Sequence, residues 1–259
     1  MRSEKWEVRS ENGEITRETP RAVLFDLDDT LFDHRGTSRE ALAAVQAAVP
    51  DLARCDLDEF ERRHVAVLEE LHHGGVMQGE MSMDEARVER FRRLLAAAGS
   101  TGSDAGLAAR RYREAYIAAR RAVPGAGSLL RALRPVVRLG IVTNNILSEQ
   151  EDKLKQLGLR HLIDVLVASA EEGVSKPDPA IFLRALHRLG HQPGEAVMVG
   201  DSWATDVVGA RAAGLRVVWF NQRGEHAPEE GAAVEIATLE PAQTVAALIL
   251  ASGDGTTSG

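Results

Sequence analysis

The sequence predicts a doubly wound α/β core, a parallel sheet of Rossmann-like type, with an all-helical domain inserted after its first strand. Two patterns carry this reading. Beyond Pro124-Gly125, short β-branched apolar runs alternate with amphipathic helical stretches, as a parallel sheet covered on both faces requires. Between about residues 38 and 121, by contrast, the chain shows helical patterns alone. Its 259 residues suffice for one large globular domain or for a core with one insert.

Residues 1–20 contain "WEVRSENGEITRET", which reads as a short hairpin about the turn-favouring Asn12-Gly13 or as an extension outside the fold. The apolar run in "RAVLFDLDDTLFD" is a buried strand that leads straight into the carboxylates Asp26, Asp28, Asp29 and Asp33. Thr37 and Glu40 have capping-box spacing and open an alanine-rich helix to Val49, and Ser82 with Glu85 opens another to about Ala98. Helical stretches near 58–73 and 105–121 are set off by glycine-bearing breaks at 74–79 and 99–106. The later strands are "VVRLGIV" (136–142), "DVLVAS" (164–169), "AVMVG" (196–200), "LRVVWF" (215–220) and "AVEIAT" (233–238). Asp178 is placed as N-cap and Pro179 as first residue of a helix in which Ile181, Phe182, Ala185, Leu186 and Leu189 share one face. The expected division is therefore an extension (1–20), a core (21–33 with 122–251), a helical cap (34–121) and a flexible tail (252–259).

A net charge of −8 argues against a surface that binds nucleic acid polymers and favours small ligands, with room for one local basic pocket. No apolar run reaches the roughly 18–20 residues of a membrane span, and the first twenty residues are too polar for a secretory signal. A cytoplasmic protein is the expectation. The lone Cys55 cannot close an internal disulfide and reads as a reduced thiol. Either oligomeric state, monomer or dimer, is compatible with the apolar content.

In an open parallel sheet the ligand site lies beyond the carboxyl ends of the strands. There the sequence puts Asp26, Asp28 and Thr30 after the first strand and Thr143 and Asn144 after the second. Lys176 follows in "GVSKPDP", and Asp201 and Asp206 in "GDSWATD". Carboxylates gathered at one spot repel one another and ask for a hard divalent cation such as Mg²⁺. The Lys176 ammonium suits phosphoryl oxygens, as does the Thr143 hydroxyl with nearby backbone N–H groups. One carboxylate can then serve as nucleophile, and a second, two residues further on, as general acid and base. Alternation along an extended segment puts Asp26 and Asp28 on one side, with Asp29 pointing away.

"DLDDT", the strand-terminal Thr143, Lys176 and "GDSWATD" together resemble the four ordered motifs of the haloacid dehalogenase superfamily, and the helical insert resembles its small cap. The resemblance implies Asp26 as nucleophile, Asp28 as acid and base, and Thr143 and Lys176, with Asn144 beside them, as groups that hold the phosphoryl oxygens. It also implies Mg²⁺ held by the Asp26 carboxylate, the Asp28 backbone carbonyl and Asp201, with Asp206 in support. An acid at position 28 favours phosphate ester hydrolysis over dehalogenation.

The segments "VPGAGSLLRALR", "EEGVSKPDPAIFLRAL" and "VMVGDSWATDVVGARAAGLRVVWFN" are similar to the nucleotidase-like phosphatases of that superfamily. 5'-Nucleotides are then the first expected substrates, with sugar phosphates, acylneuraminate 9-phosphate among them, and phosphoglycolate as alternatives. A phosphate-accepting signalling domain or a binding protein on the same scaffold is the non-enzymatic alternative. His72 and His73 read as helix-end residues and Phe91 as core; Arg90 could reach a substrate but reads first as a solvated helix arginine, as do the arginines of 110–121.

Overall fold

The computed structural model describes residues 19–76, 79–100 and 104–251. The expected Asn12-Gly13 hairpin, the tail from 252 and the side chain of His73 lie outside the described residues. Six strands form one sheet: β1 (Ala22–Phe25), β2 (Arg138–Thr143), β3 (Val165–Ala168), β4 (Ala196–Gly200), β5 (Arg216–Phe220) and β6 (Val234–Ile236). Their order is β3-β2-β1-β4-β5-β6 and every pairing is parallel. The chain enters at the centre, winds outward on one side and then on the other. The strand order therefore reverses between β1 and β4, where a crevice opens beyond the strand ends.

By contacts the chain forms two compact units. One unit holds Met1–Thr30, Pro124–Asn144 and His161–Gly259, and the other Leu31–Val123 with Asn145–Arg160. The sheet belongs to the first, together with helices α5 (Ala126–Leu133), α7 (Ser169–Glu172), α8 (Pro179–Leu189), α9 (Val208–Ala212) and α10 (Ala242–Ala251). Ala22, Leu24 and Met198 pack with Ile181, Phe182 and Ala185 of α8 and with Val207 in a single apolar cluster. Val23 and Phe25, which alternation turns to the opposite face, are fully buried as well. β1 is thus covered on both sides, which is why it reads as an unbroken apolar run. β6, the edge strand, buries Ile236 alone.

As its sequence predicts, α8 has Asp178 as N-cap, accepting from the Ala180 amide at 2.9 Å, and Pro179 at its start. Gly209 in α9 has a packing reason. A Cβ there would fall 2.7 Å from the Pro177 carbonyl oxygen, so no larger residue lets α9 meet the loop that carries Lys176.

The second unit contains α1 (His34–Ala48), α2 (Leu57–Leu71), α3 (Met83–Ala97), α4 (Ala105–Ala119) and α6 (Leu147–Gln156). Its core joins Leu42, Val45, Phe60, Phe91, Leu94 and Tyr112. Ser82 and Glu85 form the expected capping box of α3. Thr37 does not cap α1: the helix begins earlier, and the Asp33 carboxylate accepts from the Gly36 amide at 2.9 Å. Asp33 has the stronger capping side chain and also pairs with Arg121 at 2.7 Å, leaving Thr37 buried inside the helix.

Residues 145–160, expected in the core, group with the helices. Glu149 of α6 meets Arg113 at 3.2 Å and Arg120 at 3.3 Å, and the Lys153 ammonium lies 4.9 Å from the centre of the Phe32 ring. The Arg120 side chain is consequently buried, whereas Arg110, Arg111 and Arg113 are exposed as expected.

Phe182 is a direct test of the sheet packing, because it is fully buried and touches the place where Gly209 admits the Pro177 backbone. Phe182→Ala is expected to destabilise the protein by about 3–5 kcal/mol, read as a lower denaturant midpoint in urea unfolding. A loss under about 1 kcal/mol would show that α8 does not anchor this face.

Candidate active site

The strand ends deliver the predicted polar residues in one unit. Asp26 is the first residue beyond β1, and its amide donates to the Val199 carbonyl at 2.9 Å, so the backbone at this point is fixed to β4. Leu27 turns into the core and is wholly buried. Asp28 is half-buried. Asp29 takes a left-handed backbone conformation with φ of 63°, which turns the chain sharply away from the strand. Asp26 itself is buried, with 6% exposure.

Thr143 ends β2 and is buried. The next residue, Asn144, is committed to its neighbour across the sheet end. Its amide nitrogen donates to the Lys176 carbonyl at 2.9 Å, and its amide oxygen accepts from the Lys176 amide at 2.7 Å. Asn144 was expected to bind substrate, but its side chain clamps the Lys176 backbone. The Lys176 ammonium, buried in turn, donates to Asp26 at 2.5 Å and to Asp206 at 2.7 Å.

Asp206 reaches the centre from the turn after β4. Gly200 makes room for it, because a Cβ at Gly200 would lie 2.4 Å from an Asp206 carboxylate oxygen. The Ser202 amide donates to the Asp206 carboxylate at 3.0 Å. Asp201 is tied from two sides: its amide donates to the Thr30 hydroxyl at 3.1 Å, and its carbonyl accepts from the Trp219 indole at 2.8 Å. Thr30 and Trp219 are structural supports to which sequence reading gave no role. Thr30 had a signal, being a small hydroxyl directly behind "DLDD", while the aim of the Trp219 indole has none in the local sequence.

Carboxylate oxygens of Asp26, Asp201 and Asp206 all lie within 4.8 Å of one another. The acidic trio thus includes Asp206, expected only as a supporting residue, while Asp28 was expected to contribute a backbone carbonyl. One ammonium faces three carboxylates, and that ratio explains the electrostatics. Burial pushes the Asp26 carboxyl well above the usual range; Lys176 opposes this, and Asp206 and Asp201 add to it. Asp201 is pushed up to about 7, by burial first and then by Asp206 and Asp29. Burial acts to lower Lys176, but Asp206 and Asp26 outweigh it and hold the ammonium charged above its ordinary value. The lysine has more counter-charge than it needs and the acids have too little. A divalent cation among these oxygens would redress the imbalance, so the donor set fits a hard metal ion.

The imbalance has a measurable sign. A carboxyl whose folded pKa is raised stabilises the fold below its ordinary pKa, and that contribution is lost as pH climbs through the folded value. For Asp201 the window runs from the ordinary aspartate value of 3.8 to about 7. Glu89, at about 2, titrates below this window, whereas His64, which burial holds well below the ordinary histidine value, acts within it in the opposite sense, since its contribution to stability rises with pH. In chelator, the Tm of the wild type relative to that of Asp201→Asn, a comparison that cancels the His64 contribution, is expected to fall between about pH 5 and about pH 7, and added Mg²⁺ is expected to raise the wild-type Tm most at the higher pH. A relative Tm that is flat or rising across that interval would contradict the surplus of buried negative charge.

The sequence profile of the haloacid dehalogenase-like hydrolases matches residues 20–214. A glyceraldehyde 3-phosphate phosphatase of Methanopyrus kandleri is 34% identical over 210 residues, which cover 80% of this chain and 85% of that one. The pyrimidine 5'-nucleotidase YjjG of Escherichia coli is 42% identical over 108 residues, 41% of this chain and 48% of its own. Among solved structures, the HAD-hydrolase YfnB of Bacillus subtilis, determined bound to magnesium, superposes with a TM-score of 0.71 at 26% identity, over 89% of this chain and all of the other. Among the described residues no helix is long and apolar enough to cross a membrane.

Proposed function

The chain belongs to the haloacid dehalogenase-like hydrolase family and is a phosphatase of small phosphorylated metabolites, and on that premise we propose that Asp26 is its nucleophile and Asp28 its general acid and base. The observation that carries the reading is the Lys176 ammonium held on the Asp26 carboxylate at the switch point of the sheet. There Lys176 and Thr143 flank the position at which phosphoryl oxygens would be held, and Asn144 fixes Lys176 by both ends of its amide.

In this reading an Asp26 oxygen attacks phosphorus while the bond from phosphorus to the ester oxygen breaks, and Asp28 gives its proton to the departing alcohol. The phosphoryl group is then an acyl phosphate on Asp26. Asp28, now a carboxylate, takes a proton from water as that water attacks phosphorus; the bond between phosphorus and the Asp26 oxygen breaks, phosphate leaves, and both acids return to their starting states. Lys176 and Thr143 keep the phosphoryl oxygens in place through both halves. The Asp26 and Asp201 carboxylates and the Asp28 backbone carbonyl would hold Mg²⁺, with Asp206 keeping Lys176 and the Ser202 turn in position. When bound, the cation supplies charge neutralisation for the carboxylates and for the phosphoryl oxygens they face.

As substrates we propose 5'-nucleotides first, a reading supported by the 42% identity to a pyrimidine 5'-nucleotidase. A second reading, sugar or triose phosphates, is favoured by the relative that matches over 85% of its own length. Phosphate release from 5'-nucleotides, sugar phosphates and phosphoglycolate, with Mg²⁺ or chelator, separates these readings. Turnover is expected to vanish in Asp26→Asn and to drop at least about 10²-fold in Asp28→Asn on esters with alkyl leaving groups. Near wild-type rates in Asp28→Asn would remove the acid and base role, and activity retained in Asp26→Asn would remove the nucleophile.

A further inference from the structure

Outside the acidic centre, a further buried charge is Arg90 on α3 of the helical unit. Expected to be solvated, it is 5% exposed. An arginine remains protonated, so a full positive charge lies within the helical core. Its neighbours on the same helix all have carboxylates: Arg87 has Asp84 and, at 3.8 Å, Glu149; Arg92 has Glu89; Arg93 has Glu89 and Glu70. Arg90 has none among the described residues, and its Nε–H has no acceptor. What faces the guanidinium is aromatic, with its carbon 5.0 Å from the ring centre of Tyr112 and 5.7 Å from that of Phe91.

Aromatic faces attract a cation, but they offset only part of the penalty of taking a charge out of water. A second polar group in the same core repeats the pattern. His64 is fully buried 5.0 Å from the Tyr112 ring, and neither of its ring nitrogens has a partner. Buried polar groups in folded proteins are nearly always hydrogen-bonded, to protein, water or ligand, so the Arg90 Nε–H calls for an acceptor that the protein itself does not supply.

Arg90 also lines a cavity of about 30 Å³, whose apolar wall is made by Leu68, Leu71, Val76 and Met83. One water needs roughly 10–15 Å³ measured this way. The space therefore has room for the two oxygens of a flat carboxylate, and the rest of an acid bound there would run along the apolar wall. The planar guanidinium fork matches a carboxylate in shape and charge. The apolar wall suits a short aliphatic body. Arg87, the other cation at the cavity, is already neutralised by its two carboxylates.

We propose that the helical unit carries a carboxylate-binding site in which Arg90 pairs with a small organic acid whose aliphatic part lies against Leu68, Leu71, Val76 and Met83. The site stands on the geometry of this unit alone, independently of the roles proposed for Asp26 and Asp28.

Full-length wild-type protein is titrated with sodium propionate, and separately with sodium chloride at equal ionic strength, while the arginine Nε–H resonances are followed by NMR. The Arg90 resonance is expected to shift saturably with propionate and to stay in place with chloride. Ala86→Leu adds bulk at the cavity while leaving the guanidinium intact, and is expected to weaken propionate binding at least tenfold. If Arg90→Lys folds, the same loss is expected there; if it does not, the wild type and Ala86→Leu carry the test.

An Arg90 resonance that propionate leaves unmoved, or that shifts with the same affinity in Ala86→Leu, overturns the proposal.

Discussion

The candidate site depends on one ammonium placed between two buried carboxylates. Lys176 bonds both Asp26 and Asp206, and all three are almost wholly removed from water. Burying charges is unfavourable unless their geometry and hydrogen bonding are complete, and removal of one partner from such a group typically costs about 3–5 kcal/mol. The surrounding structure accordingly fixes each member. Asn144 clamps the Lys176 backbone, Gly200 leaves space for Asp206, and the hydrogen bond from the Asp26 amide to Val199 ties β1 to β4.

Sheet topology explains why residues so far apart in sequence share one point. Parallel strands with the order β3-β2-β1-β4-β5-β6 put the ends of β1, β2 and β4 side by side. Each strand is followed at once by a polar residue that cannot turn into the apolar layers. The excess of carboxylate over ammonium is a property of this convergence, and it fits a cation in a way that an ordinary buried ion pair does not. Thr30 and the Trp219 indole hold Asp201 in the same arrangement without belonging to the charged group.

Much of this was legible in the sequence because it is local. The β-branched runs, the Asp178-Pro179 helix start and the Ser82 capping box all depend on neighbours within a few residues, and each appears within a few positions of its expected place. The motifs marked the strand-end residues for the same reason. What failed was tertiary. Thr37 and Asp33 both offer a capping side chain, and only the packed structure shows that Asp33 takes the position and binds Arg121 as well. Residues 145–160 join the helical unit through ion pairs of Glu149 with arginines more than twenty-five positions away. Arg90 did have a sequence signal: Ala86 and Leu94, four residues to either side, are buried on the same face. Charge argued for solvent and periodicity for the core, and the structure follows periodicity.

The central claim is that the buried Asp26 carboxylate carries the phosphoryl group, and rapid acid quenching tests it most directly. Protein mixed with Mg²⁺ and a turned-over phosphomonoester is stopped within the first turnover, digested and analysed by mass spectrometry. The account predicts one phosphoryl group on the peptide containing Asp26, labile to hydroxylamine as an acyl phosphate and absent when chelator replaces Mg²⁺. Phosphate release at full rate with Asp26 unmodified at every quench time, and solvent oxygen entering phosphate without an enzyme-bound stage, would contradict it.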